Sequence, residues 1–331
     1  MSVTFVEQFD SVLDLIRQAQ QRALRAVNAE LVDLYWRIGQ YVSDKIAQAE
    51  WGDATVQELA NHLRKKEPTL RGFDRRNLYR MRQFYEAYKH DEFVSTVLTQ
   101  IPWSHHLAIM SNSRDKKERL FYMQATIKEG YTFRELERQI KSGLYERTML
   151  ANKTLPSAVR ALPQDVSGIF RDSYILEFLN VPDEPVYERD VQKGLIKQMK
   201  QFVMELGRDF LFVGEEFRLQ VGMSDFYVDL LFFHRDLCCL IAIELKMGEF
   251  KPDYIGQINF YLEALDRDVR KAHENPSIGI LLCKERDSEV VEYALSRSLS
   301  PTLVAEYQTK LPDKQLLQAK LHSFLENTTE L

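Results

Sequence analysis

Two apolar segments in the second half of the chain each carry charge where a buried strand rarely tolerates it. The segment FYVDLLFF has Asp229 at its middle, and the segment CCLIAIELK ends on Glu244 and Lys246. Residues two apart in a strand face the same side, about 6.6 Å apart, so Glu244 and Lys246 point together. Because only the short turn 234–237 joins the two strands, we expect Asp229 to lie beside Glu244.

Two carboxylates and an ammonium gathered at one end of a sheet are costly unless something compensates their charge. A divalent cation does so, because carboxylate and carbonyl oxygens are ligands that Mg²⁺ or Mn²⁺ prefers. The candidate ligands are Asp229, Glu244 and the backbone carbonyl of Leu245. Lys246 would then orient a water molecule or stabilise the charge that develops on a phosphate. A structural Glu–Lys pair accounts for the same residues, and the spacing alone leaves both interpretations open.

The segment PDYIGQINFYLEAL, which follows the second strand, predicts a helix. Tyr254, Gln257 and Tyr261 are spaced three and four residues apart, so they lie on one face of that helix. Gln257 can therefore reach the same end of the sheet and hydrogen-bond a phosphate or a water molecule on a metal ion. Taken alone, the helix would equally suit an ordinary solvated glutamine with packing tyrosines.

The elements that must position these residues follow from the spacing of apolar residues. The first half predicts helices only, at 5–50 (one long helix or two abutting ones), 55–66, 74–88, 103–111, 114–129 and 132–143. The second half predicts a helix at 188–206, strands at 210–221, 225–233 and 238–246, a helix at 252–266, a strand at 278–283, a helix at 287–298, a strand at 302–307 and a helix at 313–326. This order is typical of a mixed sheet flanked by helices.

We therefore predict an α+β protein of two domains, an all-α domain at 1–147 and an α/β domain at 167–331, joined by a linker at 148–166. A length of 331 residues suits two domains of about 150 residues each. Hydrophobic residues make up 45% and charged residues 28%, which is typical of a globular protein. No apolar run approaches the ~20 residues of a membrane span, so no membrane partner is expected.

The three cysteines, Cys238, Cys239 and Cys283, are too few for a disulfide framework. All lie in apolar runs, so we expect them to be buried and reduced, as in a cytoplasmic protein. The segment MSVTFVEQFD lacks the features of a secretory signal, which agrees with that location.

Charge divides unevenly along the chain. Residues 1–152 hold 23 Lys and Arg against 20 Asp and Glu, whereas the remainder holds 21 against 29. Basic residues crowd the predicted helix–turn–helix at 55–88, which is typical of winged-helix-like readers of nucleic acid. We expect nucleic-acid contacts from Arg71, Arg75, Arg76 and Arg80. A solvated basic helix face would give the same pattern. The long first helix could also pair with a second copy to form a homodimer.

The order Asp229…Glu244-x-Lys246, followed by a helix with Gln257 and Tyr261, resembles the PD-(D/E)XK nuclease superfamily. The stretches FVGEEFRLQVG, FYVDLLFFH, CLIAIELKMGEFKPDYIGQINFYL and PSIGILLC resemble, more specifically, the YhcG-like family of that superfamily. The stretches FDRRNLYRMRQFYEAY, IPWSHH and GYTFRELERQIKSGLYERT resemble the N-terminal helical region of the same family. The resemblance spans nearly the whole chain.

This resemblance implies a restriction-endonuclease-like fold for the α/β domain and metal-dependent hydrolysis of phosphodiester bonds in DNA, or in RNA. It implies that Asp229 and Glu244 hold Mg²⁺ or Mn²⁺, that Lys246 is catalytic and that Gln257 is accessory. Tyr261, one turn beyond Gln257, is then expected to contact nucleic acid. The alternative is a non-catalytic protein that uses the nuclease fold as a scaffold. Such a protein would bind nucleic acid or have a regulatory role without cleaving nucleic acid.

Nucleases of this superfamily often add a glutamate from the first core helix, and Glu188 is the candidate here. The chain departs from the pattern in two places. Gln192 stands where family members often carry a second glutamate. Val228 stands where the motif has proline before Asp229, a common substitution.

Overall fold

The computed structural model describes residues 3–90, 97–151, 156, 159, 169–180, 188–296, 298 and 300–329. The chain forms two compact units, Met1–Ile140 and Lys141–Leu331. Most of the predicted linker at 148–166 lies outside the described residues.

The first unit consists of helices in its described residues. They are α1 (Val3–Ala47), α2 (Asp53–Lys66), α3 (Arg75–Tyr88), α4 (Trp103–Asn112), α5 (Lys116–Glu129) and α6 (Phe133–Lys141), which runs just past its boundary. Local sequence sets several of their ends. The side chain of Asp74 caps α3 by accepting a hydrogen bond from the Asn77 backbone N–H at 2.9 Å. Gly130, in the left-handed conformation with φ of 66°, ends α5.

The first three helices share one small core, made of Val42 from α1, Val56 and Ala60 from α2, and Leu78 and Met81 from α3. Between α2 and α3 the chain runs through 67–74, a longer connection than the 3–4-residue turn of a helix–turn–helix motif. No strand occurs in the described residues of this unit, so the wing of a winged helix stays a prediction.

The second unit is built on a six-stranded sheet. Its strands are β1 (Ser173–Ile175), β2 (Phe210–Val221), β3 (Ser224–His234), β4 (Cys239–Glu249), β5 (Asn275–Glu285) and β6 (Thr302–Gln308). Its helices are α7 (Leu144–Leu150), α8 (Glu188–Lys197), α9 (Met199–Leu206), α10 (Asp253–Asp268), α11 (Ser288–Leu295) and α12 (Lys314–Thr329). The strand order is β1-β6-β5-β4-β3-β2. Pairs β2/β3 and β3/β4 are antiparallel and the others parallel, which confirms the predicted mixed sheet.

Three elements differ from the sequence prediction. Strand β1 was not predicted, because three residues are too short to show alternation and its place depends on parallel pairing with β6. The helix predicted over 188–206 is divided into α8 and α9 at Gln198, whose φ and ψ are −111° and 28°. Helix α7 follows the last helix predicted in the first half, at 132–143, and was not predicted. It lies in the second unit, where Gln318 of α12 donates to Glu146 at 2.9 Å and Arg147 donates to the Ser173 carbonyl at 2.8 Å.

The sheet is covered on both faces, which explains why β3 and β4 are apolar almost throughout. On one face, Leu230, Ile243 and Leu245 pack in a core with residues of α8 and α9. On the other, Leu231 and Ala242 pack in a core with residues of α10. A charged residue inside either strand is therefore surrounded by apolar side chains.

The cysteines agree only in part with the prediction. Cys239 and Cys283 are buried and free, and burial raises the pKa of the Cys239 thiol to about 12. Cys238 is only half-buried, because it ends the turn before β4 with a φ of 49°. The predicted cytoplasmic location stays a prediction. No helix among the described residues has the length and apolarity needed to cross a bilayer.

Helix α10 can lie close to β5 because residue 279 is glycine. A Cβ atom at that position would approach Cδ1 and Cγ1 of the buried Ile258 to 2.7 and 2.9 Å. We expect Gly279→Ala to destabilise the protein by about 1–3 kcal/mol through overpacking, measured by urea denaturation. Gly256→Ala, on an open face of α10 where a Cβ meets nothing within 4 Å, should be neutral or slightly stabilising. Equal stability of the two variants would contradict this account.

Candidate active site

The antiparallel ladder between β3 and β4 ends at the pair Leu230–Ile243. The next two residues, Asp229 and Glu244, replace backbone pairing with side-chain hydrogen bonds. The backbone N–H of Asp229 donates to Oε1 of Glu244 at 3.1 Å, and the backbone N–H of Leu245 donates to Oδ2 of Asp229 at 2.9 Å. The strands thus separate into a fork that holds both carboxylates, as the sequence predicted.

The alternation of β3 breaks at this fork. Leu230 and Phe232 pack on the side of α8 and α9, whereas Val228 and Phe226 pack on the side of α10. Even-numbered residues therefore change face across Asp229. On the neighbouring strand, Glu216 has a φ of 43° at the same level, between the pairs Glu215–Leu230 and Phe217–Val228. Strand irregularities such as bulges change the direction of side chains beside active sites. Here the side chain whose direction changes is that of Asp229.

Lys246 completes the cluster from β4. Its Nζ lies 3.3 Å from Oε2 of Glu244 and 3.8 Å from Oε1 of Glu188, at the start of α8. The ammonium also lies 5.4 Å from the ring centroid of Tyr254, close enough for a cation–π contact. The structure thus brings Glu188 to the site through Lys246, and it adds Tyr254, for which the sequence predicted only a place on the same helix face.

Gln257 reaches the fork from α10. Its Nε2 donates to Oε2 of Glu244 at 3.3 Å and to the hydroxyl of Tyr261 at 2.9 Å. Tyr261 is only 7% exposed, so it has little surface with which to contact nucleic acid. The contact of Tyr261 with nucleic acid stays a prediction, and the contact seen for its hydroxyl is with Gln257.

Gln192 lies on α8, one turn after Glu188. Its Nε2 donates to the backbone carbonyl of Asp229 at 3.3 Å. The sequence identified Gln192 only as a departure from the family pattern and did not predict this contact. The amide therefore supports the backbone of the fork without adding a negative charge.

Burial dominates the electrostatics of the two carboxylates. Burial, and after it the negative charge of Asp229, raises the pKa of Glu244, which is 2% exposed, to about 7. Burial likewise raises the pKa of Asp229. Burial lowers the pKa of Lys246, but Glu244, Glu188 and Asp229 together outweigh it, so that pKa ends above its ordinary value. Lys246 is therefore a fixed positive charge.

This set of oxygens fits a divalent cation. Oδ1 of Asp229 accepts no hydrogen bond from the described residues, and the charge of Glu244 is only partly compensated. The N–H and C=O of a strand residue point to the same edge, so the Leu245 carbonyl faces the fork with its N–H. In the described part of the chain, no group of three or more His, Cys, Asp or Glu side chains is arranged to hold a metal. A hard cation that keeps several waters, such as Mg²⁺ or Mn²⁺, suits these few ligands.

The predicted nucleic-acid residues lie in the first unit. Arg71, Arg75 and Arg76 are exposed, around the start of α3, and Arg80 is half-buried one turn further on. The guanidinium of Arg75 lies 5.6 Å from the ring centroid of Tyr79, and Asp74 is engaged as the helix cap.

Two family models match the chain. Residues 167–322 match the model of the YhcG PDDEXK nuclease domain, and residues 11–147 match that of the DUF1016 N-terminal domain. A protein of Escherichia coli (strain K12) with the description "Putative nuclease YhcG" is 32% identical over an alignment of 352 positions that covers 94% of this chain and 92% of that protein.

Two solved structures align with part of the chain. A repair endonuclease from Pyrococcus abyssi is 15% identical over 40% of this chain and 50% of its own, with a TM-score of 0.26. EndoMS in apo form is 17% identical over 40% of this chain and 49% of its own, also with a TM-score of 0.26. Structural similarity at this TM-score supports no conclusion about function or fold. The strand order and strand pairing describe the fold.

The pKa of Glu244 predicts an unusual pH dependence of stability in metal-free protein. Its folded pKa of about 7 exceeds the ordinary value of 4.5, so the folded state binds the proton more tightly. Stability is therefore lost as pH rises from about 5 to 8. Glu244→Gln should match the wild type near pH 5 and be more stable by roughly 1–3 kcal/mol at pH 8. Urea denaturation in chelator measures both.

Glu249→Gln, at the exposed end of the same strand, is the matched control and should follow the wild-type profile. Added Mg²⁺ should stabilise the wild type at pH 8 and leave Glu244→Gln unchanged. Parallel pH profiles for the wild type and Glu244→Gln would refute the assignment of a buried, undercompensated charge.

Proposed function

This chain belongs to the family of YhcG PDDEXK nucleases, and from that premise we propose that it hydrolyses phosphodiester bonds of DNA with Mg²⁺ or Mn²⁺ held by Asp229, Glu244 and the Leu245 carbonyl. The fork between β3 and β4, which gathers two carboxylates and one ammonium, carries this proposal. Endonucleolytic cleavage of duplex DNA is the expected form of the activity, and RNA is the competing substrate.

When bound, the cation lowers the pKa of a water molecule and neutralises negative charge on the phosphate. The chain's own residues then have separate tasks. Lys246 stays protonated and donates hydrogen bonds to a phosphate oxygen where charge develops. Gln257 holds the carboxylate of Glu244 through its bond to Oε2, and Gln192 holds the backbone of Asp229.

Glu188 has a task that follows from its distance to Lys246. At 3.8 Å and 44% exposed, it can hold the ammonium toward the fork or turn toward the cation as a further ligand. Burial raises the pKa of Glu188, and Lys246 lowers it. We propose that Glu188 holds the ammonium in the metal-free protein and would be a further ligand in the protein with a bound cation.

Removing any of the three charged groups should abolish cleavage while the fold remains. We expect Asp229→Asn, Glu244→Gln and Lys246→Met each to lower the rate of Mg²⁺-dependent cleavage of supercoiled plasmid by at least 100-fold. The measurement is a time course on agarose gels across Mg²⁺, Mn²⁺ and Ca²⁺, with linear, single-stranded and RNA substrates in parallel. Circular dichroism checks the fold.

Glu249→Gln again serves as the control on β4 and should cleave at the wild-type rate. Full activity in Lys246→Met would reject the catalytic assignment. A wild-type protein that binds DNA and cleaves no substrate with any metal would favour the alternative, a non-catalytic binding or regulatory protein on the same scaffold.

The first unit is proposed to hold the DNA. Arg71, Arg75, Arg76 and Arg80 surround the start of α3, and arginines so placed bind phosphates or base edges. We expect the triple change of Arg71, Arg75 and Arg76 to alanine to weaken DNA binding 10–100-fold and to lower the salt slope by roughly three. Fluorescence anisotropy over a salt series measures both quantities.

A matched control removes as many positive charges elsewhere in the same unit. Arg114, Lys116 and Lys117 are exposed near the start of α5. Their triple change to alanine should weaken binding by no more than threefold. Equal losses from the two triple variants would mean that overall charge, and not the α3 region, carries the binding.

We also propose that α1 forms a homodimer. Large apolar side chains at three- and four-residue steps stay exposed along one stripe of this helix. On another side Val32 is buried, and Trp36 packs against Phe84 of α3. The stripe consists of Val12, Leu13, Ile16, Leu24, Val27, Leu31, Leu34 and Tyr41.

Charge inside this stripe should separate the copies. Val27→Glu combined with Leu31→Glu should give a monomeric mass by light scattering where the wild type gives a dimeric one. Arg22→Glu, away from the stripe, should remain dimeric. A monomeric wild type at micromolar concentration would contradict the proposal.

A further inference from the structure

The outer half of the β2–β3 hairpin projects from the fork. It begins at the pair Phe217–Val228 and closes at the pair Val221–Ser224, with a two-residue turn formed by Gly222 and Met223. Gly222 has a φ of 61°, a conformation that glycine adopts without strain. Met223 is fully exposed at the tip.

One face of this hairpin is covered and the other is open. Phe226 packs against Phe260 of α10 with ring centroids 4.7 Å apart, and Val228 and Leu219 belong to the same core. Because side chains alternate along a strand, Tyr227 points to the opposite face. Tyr227 is 51% exposed there.

Arg218 stands directly opposite Tyr227 in the register of the two strands. Its neighbours Phe217 and Leu219 pack toward α10, so Arg218 shares the open face with Tyr227, and its side chain is 56% exposed. The rung of Arg218 and Tyr227 lies two residues from Asp229, about 6.6 Å along the strand. An extended polar and aromatic surface thus leads away from the fork.

Arg218 can exchange its present contacts for contacts with a phosphate. Its guanidinium pairs with Asp225 at 2.9 Å and donates to Gln220 at 3.4 Å, both on the same exposed face. An exposed ion pair contributes little to stability, so a phosphate can replace Asp225 at small cost. Arginine recognises a phosphate through paired hydrogen bonds, and a tyrosine ring packs against a sugar or base.

We propose that the open face of the β2–β3 hairpin is the track that holds duplex DNA on one side of the scissile phosphate. Arg218 binds a backbone phosphate, Tyr227 packs against the adjacent sugar, and Met223 enters the minor groove at the end of the hairpin. This inference rests on the proposed nuclease function. It adds a substrate contact from the second unit itself, independent of the arginines near α3.

The exposed methionine at the hairpin tip favours duplex DNA over single-stranded DNA as the bound molecule. From Asp229 to Met223 the strand extends about 20 Å, which is about six base pairs of duplex at 3.4 Å per step. An apolar side chain at such a tip fits the use that DNA-binding proteins make of methionine and leucine, which wedge between base steps from the minor groove. A single strand offers no groove for it.

The test measures affinity in the full-length protein carrying Glu244→Ala, so that binding proceeds without cleavage. The probes are a fluorescent 30-base-pair DNA duplex and one of its strands, followed by anisotropy over a salt series. Arg218→Ala should raise the duplex Kd about tenfold and lower the salt slope by about one. Asp225→Asn should lower the Kd about threefold, because it releases Arg218 and removes a repelling charge.

Two further variants separate the tip from the track. Met223→Ser should raise the Kd for the duplex about fivefold and leave the Kd for the single strand unchanged. Tyr227→Ala should raise both values, and Tyr227→Phe should restore them. Arg235→Ala is the matched control, because Arg235 is an exposed arginine paired with Asp209 at the other end of β3, and it should leave the Kd within twofold of the parent.

An Arg218→Ala protein whose duplex Kd stays within twofold of the parent overturns the proposal, as does an Arg235→Ala protein that loses as much as Arg218→Ala. Cleavage by the protein with an intact Glu244 is measured separately. If that protein cleaves while the hairpin variants bind normally, the track alone is wrong. If it cleaves nothing, the nuclease function is wrong, whatever the affinities show.

Discussion

The buried charge of Glu244 is the constraint on which the site depends. A carboxylate that is 2% exposed, beside a second carboxylate, has its pKa raised to about 7 and stays ionised only where something positive compensates it. Lys246 supplies one positive charge at 3.3 Å, which does not balance two acids. In the proposed function, a divalent cation between Asp229 and Glu244 would supply the remainder. The same electrostatic imbalance that makes the metal-free fork costly is the reason for proposing a cation there.

The surrounding elements hold the two carboxylates close together despite this charge imbalance. Apolar layers on both faces of β3 and β4 bury Glu244 and leave Asp229 half-buried, and the break in alternation at Asp229 turns its side chain toward the backbone N–H of Leu245. Helix α10 brings Gln257 to Glu244 because Gly279 lets it lie close to the sheet. Helix α8 brings Gln192 to the Asp229 backbone. The first contact holds the carboxylate of Glu244, and the second holds the backbone that carries Asp229.

Much of this could be predicted from the sequence, because charge inside apolar strands is rare and strand spacing is regular. The adjacency of Asp229 and Glu244, the pairing of Glu244 with Lys246 and the reach of Gln257 followed from residue type and period. The break in β3 and the left-handed Glu216 could not be predicted, because each depends on packing against two different helical layers. The low exposure of Tyr261 could not be predicted from its place on the helix face, because it depends on how closely α10 approaches the sheet. Strand β1 was too short to leave a pattern.

Anomalous diffraction from crystals grown with Mn²⁺ tests the central claim most directly. The account predicts an anomalous peak between the carboxylates of Asp229 and Glu244, within ligand distance of both and of the Leu245 carbonyl, and no peak in Glu244→Ala. A map without a peak at the fork, with Asp229 and Glu244 keeping their hydrogen bonds to the backbone, would contradict it. So would a manganese ion bound by other residues of the second unit.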